Sequence, residues 1–173
     1  MGWLRRLMGD PLPDGFPGAL DADEHALAAA AVTGGGHAVV TALGLWVPSE
    51  SGARRIGWHL ISKAAWTADL LAVTEADETG TAGDAVLLTD REPLRLSLPS
   101  PGKVPLMIRQ RVDGSIRSRH RQELDGGGVW FVQRKVPGRD GVVLQVRADP
   151  GVDATLVEEI ARDASAKLAN PGS

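Results

Sequence analysis

Between His37 and Trp66 the chain reads HAVVTALGLWVPSESGARRIGWHLISKAAW, and its side chains repeat with a period of two. Val39, Thr41, Leu43, Leu45 and Val47 alternate with Ala38, Val40, Ala42, Gly44 and Trp46. After the turn-rich Pro48-Ser49-Glu50-Ser51-Gly52, Ile56, Trp58 and Leu60 alternate with Gly57, His59 and Ile61. That period sends successive side chains to opposite faces of a sheet, so the stretch predicts two long strands and the entrance to a third. Three of the five tryptophans fall here, which makes this hairpin the bulkiest part of the expected core.

The remaining chain supplies more strands and two helices. Residues 20–32 read as a first strand, because Thr33-Gly34-Gly35-Gly36 makes a hairpin connection into the next one. Strands are also expected over 66–76, 85–89 and 94–98, separated by turn residues. From Val104 to about Ser118 the period lengthens: Val104, Ile108, Val112 and Ile116 recur every four residues, as on an amphipathic helix. Residues 129–136 and 142–148 form a hairpin over Pro137-Gly138-Arg139-Asp140-Gly141. Thr155-Leu156-Val157-Glu158 has the capping-box pattern, opening a final helix with Leu156, Val157, Ile160, Ala161, Ala164 and Leu168 along one stripe. The expected fold is α+β: about six to nine strands in an antiparallel sandwich or barrel, a mid-chain helix and a C-terminal amphipathic helix. Residues 1–19 read as an N-terminal segment and linker. Residues 20–170 read as one domain, with a helix-hairpin-helix part over about 103–169.

Composition removes several function classes. The 173 residues include no cysteine, so disulfides, thiolate metal sites and a cysteine nucleophile are excluded. A formal charge of −3 argues against a protein that coats nucleic acid by overall charge. No apolar run approaches the ~20 residues of a membrane span, and no apolar stretch follows the opening arginines as in a secretory signal. The expected location is the cytoplasm. Asp21, Asp23, Glu24 and His25 carry hard-metal donors, but their spacing fits no ligand pattern, and neither metal nor cofactor is expected. The usage of Ala, Gly, Val, Arg and Asp, with no Tyr, resembles that of high-GC actinobacterial proteins.

A meander of strands around a tryptophan-bearing hairpin, closed by an amphipathic helix, resembles the pleckstrin-homology-like (PH-like) superfold. The stretch LGLWVPSESGARRIGWHLISKAAW is similar to the corresponding strand, loop and Ile-x-Trp strand of bacterial PH-like and GRAM-like domains, and of a group of actinobacterial proteins of this size. The resemblance implies a split barrel or sandwich over residues 20–98. Phosphoinositide-binding members carry Lys and Arg on the first hairpin. Here Thr33-Gly34-Gly35-Gly36-His37 has neither, so the resemblance points away from inositol lipids and toward protein partners.

Two surface features stand out. Lys103, Arg109, Arg111, Arg117, Arg119, His120 and Arg121 are opposed only by Asp113 over the same interval. On a helical projection Arg109, Arg117, His120 and Arg121 share the solvent side. Arginine forks suit phosphate and carboxylate groups. The default for such a run is a solvated helix face paired with neighbouring acids such as Glu123 and Asp125; if it is a binding site, Arg109, Arg111, Arg117, Arg119 and Arg121 are the expected contacts for a protein partner or, as the alternative, for nucleic acid. No aromatic residue is interleaved to stack bases. At the N-terminus, Trp3, Leu4, Arg5, Arg6 and Leu7 could form a short docking element for a membrane surface. No nucleophile elbow or zinc spacing is present, so the expectation is a non-enzymatic binding or scaffolding module of unspecified oligomeric state.

Overall fold

The computed structural model describes residues 9–170, and it is an α+β protein. Among the described residues there are eleven strands and two α-helices, more strands than the six to nine expected. Every ladder is antiparallel except one. The described residues divide into two compact units: 9–75 with Glu92–Gly114, and Ala76–Arg91 with 115–170.

The first unit begins its sheet with β1 (Ala28–Ala31), β2 (His37–Val40), β3 (Gly44–Ser49) and β4 (Gly52–Gly57), paired in that order. The glycine turn after β1 is the expected hairpin connection, with the Val32 amide donating to the Gly36 carbonyl at 3.0 Å. The long strand expected over residues 38–47 is instead a hairpin: Val40 pairs with Leu45, and Val39 with Trp46. The reversal is made by Thr41, whose hydroxyl accepts from the Leu43 amide at 3.1 Å and from the Gly44 amide at 3.3 Å. A local side-chain bond of this kind competes with a continuing ladder. Because Ala42, Leu43 and Gly44 are apolar, no polar break marks the turn in the sequence.

The first strand is also shorter than expected. Residues 20–27 lie outside the strand: Asp21 and Glu24 form a turn in which the Asp21 amide donates to the Glu24 carboxylate at 3.0 Å. Trp58 sits in a 3-10 turn (Trp58–Leu60) rather than a strand, and its indole N–H donates to the Thr41 carbonyl at 2.9 Å. A second group of strands follows. β5 (Ile61–Thr67) and β8 (Leu94–Ser97) both pair with the first part of β6 (Leu70–Ala82). The helix α1 (Val104–Ser115) then contributes Val104, Ile108 and Val112 to one buried cluster with Leu45, Trp58, Ile61 and Leu71. The four-residue spacing was correct as far as Val112.

The second unit is built from the end of β6, β7 (Ala85–Asp90), β9 (Ile116–Leu124), β10 (Gly127–Lys135) and β11 (Val142–Ala148). The order is β6-β7-β11-β10-β9, and β11 pairs with β7 in parallel through Gln145–Val86, Val146–Leu87 and Arg147–Leu88. Thus β9 is an edge strand. The final helix, α2 (Ala154–Ala169), covers one face, with Val157 and Ala161 packed among Ala82, Ala85, Val129 and Val146. Its cap is Asp153 rather than Thr155: the Asp153 carboxylate accepts from the Thr155 amide at 2.8 Å. Leu156 and Leu168, expected in the buried stripe, are 38% and 50% exposed. The Ser165 hydroxyl on the inner face accepts from the Asp84 amide at 2.9 Å, tying α2 to the β6–β7 turn.

Candidate functional site

The arginine run is not one helical face. The backbone changes from helix to strand at Ile116, so Arg109 and Arg111 lie on α1 in the first unit, whereas Arg117, Arg119 and Arg121 lie on β9 in the second. The expected grouping of Arg109, Arg117, His120 and Arg121 is therefore replaced by a strand pattern. Arg117, Arg119 and Arg121 point to one side of the sheet, and Ser118, His120 and Gln122 to the other. Arg109 is 82% exposed and lies 3.9 Å from Asp113 one helical turn on, a weak solvated pair. Trp3, Leu4, Arg5, Arg6 and Leu7 lie outside the described residues.

On the Arg117–Arg119–Arg121 side the neighbouring strand supplies an aromatic residue. Trp130 of β10 stands opposite Arg121 in the ladder, with the Arg119 guanidinium 5.6 Å and the Arg121 guanidinium 5.4 Å from its ring. Contacts of this kind are attractive because the ring face carries the negative end of its quadrupole. Arg121 is further fixed by carboxylates. Its Nη2 and Nη1 donate to the two oxygens of Asp149 at 2.5 and 3.3 Å, and its Nε donates to Glu123 at 2.5 Å. Hydrogen bonding to Asp149 and Glu123 raises the already high pKa of this guanidinium. Gly128 permits the arrangement, since a Cβ there would overlap the Arg121 guanidinium.

Asp149 responds in the opposite sense. Hydrogen bonds from Arg121 and from the Gly128 amide lower its pKa from 3.8 to about 2. A depressed carboxylate stabilises the fold above its ordinary range, and that contribution is lost as pH falls toward the folded value. The Asp149 carboxyl carbon is expected to titrate near pH 2 by NMR in the wild-type chain. In an Arg121→Gln variant its midpoint should move up toward 3.8. An unchanged midpoint would show that the Arg121 bond does not set it.

Two further arginines share this side. Arg134 is buried, 3% exposed, and its Nε donates to the Ser115 hydroxyl at 2.9 Å. Burial, with the Arg147 and Arg119 charges, lowers its pKa to about 10. Arg147 lies 3.6 Å from Asp90. Arg117 and Arg119 have no ion pair among the described residues and are exposed. The strand Arg-x-Arg-x-Arg is thus the open end of a larger, partly neutralised arginine surface with a tryptophan at its centre.

Other sequence candidates have structural partners. The Glu24 carboxylate is buried and accepts from the Thr41 hydroxyl at 2.6 Å, Trp46 Nε1 at 2.9 Å and Arg55 Nη1 at 2.6 Å, besides the Asp21 amide. This is a saturated acceptor, not a vacant ligand. Among the described residues no group of three or more His, Cys, Asp or Glu side chains is placed to hold a metal ion. No helix among them is long and apolar enough to cross a membrane.

Sequence reasoning missed Trp130, Arg134, Arg147 and Asp149 because the first three lie on other strands than the arginine run and Asp149 follows the end of β11. The signal was the spacing of two in Arg117-x-Arg119-x-Arg121, which belongs to a strand. Comparison of the chain with family models, with curated proteins and with solved structures finds no match.

Proposed function

We propose that the protein is a non-enzymatic binding module of the cytoplasm that docks a protein partner through the arginine-bearing side of β9 and β10. One observation carries this reading: the Arg119 and Arg121 guanidiniums both lie over the Trp130 ring, and Arg121 is locked by Asp149. Arginine and tryptophan dominate the energetics of protein interfaces, and held side chains lose less freedom on binding. Trp130 is covered by guanidinium groups rather than open to bases, which argues against a nucleic-acid partner. A PH-like character for the first unit is part of the proposal. It is supported by a meander of strands followed by α1, whose apolar stripe joins their core.

The test is affinity capture from native cytoplasm with and without nuclease, comparing the wild-type chain with Arg119→Glu. A protein retained by the wild type and lost from the variant is the expected result. Identical captured proteins in both would overturn the site, and loss of all bound material on nuclease treatment would transfer the surface to nucleic acid.

A further inference from the structure

We infer that β9 is a docking strand, to which a partner protein adds an extended segment carrying acidic residues at alternate positions; the inference rests on the protein-docking reading above. The strand is nine residues long and hydrogen-bonds only to β10 among the described residues, so its outer backbone edge is open. An open edge of that length is a ready template for another strand. What selects the incoming strand is the side-chain row beside it. Arg117 and Arg119 are exposed, have no carboxylate partner among the described residues, and sit two positions apart on one face. Alternate residues on any strand recur about every 6.7 Å, so carboxylates at alternate positions of an added strand meet these guanidiniums in step.

The Arg119 guanidinium lies 5.6 Å from the centre of the Trp130 ring and has no carboxylate partner among the described residues, so its N–H donors are available to fork onto a carboxylate of the incoming strand. Arg121 is already paired with Asp149 and Glu123, so it closes one end of the recognition row. In this mode the main chain supplies affinity and the alternate side chains supply specificity.

The test uses the full chain and a fluorescein-labelled nonapeptide of alternating glutamate and threonine, followed by anisotropy at low salt. Two derivatives are compared, each N-methylated at one of the two sets of alternate amides. Strand addition requires that only the set facing β9 matters. One derivative should bind about tenfold or more weakly and the other nearly as well as the parent. Arg117→Glu with Arg119→Glu should weaken the parent peptide about tenfold or more, with far-ultraviolet circular dichroism unchanged. Equal binding of both derivatives would overturn strand addition. Absence of saturable peptide binding would overturn it too, while a partner still captured in an Arg119-dependent way would leave the docking reading intact. A wild-type dimer that the double variant dissociates would assign the edge to a second copy of the chain and overturn the inference.

Discussion

Glu24→Ala is expected to lower the free energy of unfolding by about 3 kcal/mol, because it strands several buried donors at once. The carboxylate is completely buried, and it is the common acceptor for Thr41, Trp46, Arg55 and the Asp21 amide. Without it, the Trp46 indole N–H loses its partner in a buried setting. The Arg55 guanidinium, 30% exposed, recovers part of its loss from water, which keeps the estimate below that for a fully buried pair. Glu24→Gln keeps the shape but brings donors toward donors, and about 1–2 kcal/mol is the expected loss. Urea unfolding at neutral pH measures both; a loss for Glu24→Ala no larger than that of an exposed carboxylate such as Glu92→Ala would refute the argument.

The same residue gives a pH signature. Burial pushes the Glu24 carboxyl up, but hydrogen bonds from Thr41, the Asp21 amide and Trp46, with the Arg55 charge, outweigh it and hold the pKa below the ordinary value. A group depressed on folding contributes stability that is fully present above its unfolded pKa and disappears as pH falls through the folded one. Wild-type stability is therefore expected to drop below the ordinary carboxylate range more steeply than that of Glu24→Gln. Parallel curves for the two proteins across that range would remove Glu24 from the account.

Trp58→Ala is the other large effect, at about 3–5 kcal/mol. The side chain is 2% exposed and lies in the cluster that joins the β-strands of the first unit to α1. Trp58→Phe retains most of the apolar surface but removes the donor to the Thr41 carbonyl, so about 1–2 kcal/mol is expected. The two variants separate packing from hydrogen bonding. Equal losses, read from urea midpoints at constant slope, would mean that the indole N–H rather than ring volume carries the contribution.

The legibility of this chain divides along physical lines. The periodicity carried by burial on α1 was readable in Val104, Ile108 and Val112, and the hairpin of β10 and β11 was readable from its turn. The turns made by glycine after β1 and by Pro137 to Gly141 were readable because backbone conformation restricts residue type there. What escaped were changes of direction made by side-chain bonds among apolar neighbours. Thr41 folds one apparent strand into a hairpin and Glu24 holds residues 21–24 in a turn through local bonds, and the two side chains are bonded to each other 17 residues apart. The change from α1 to β9 was hidden because Ile116 continues the four-residue spacing by coincidence. At the candidate site the arginines were identified, but Trp130 and Asp149 come beside them only through strand register.

β6 runs unbroken from Leu70 to Ala82, with its first part in one unit and its second part in the other. The chain thus passes between units at residues 75–76, 91–92 and 114–115, and no single cut frees either one. During synthesis from the N-terminus, the first unit has all its residues once Gly114 has emerged. By then the residues of the β6–β7 hairpin have also emerged, yet the strand that pairs with β7 in parallel, β11, begins only at Val142. For that interval β7 offers an unpaired edge, a hazard that grows with the delay before a distant partner arrives. Pausing of the ribosome between Gly114 and Val142 would lengthen it, so the rate of elongation through this segment becomes a determinant of yield.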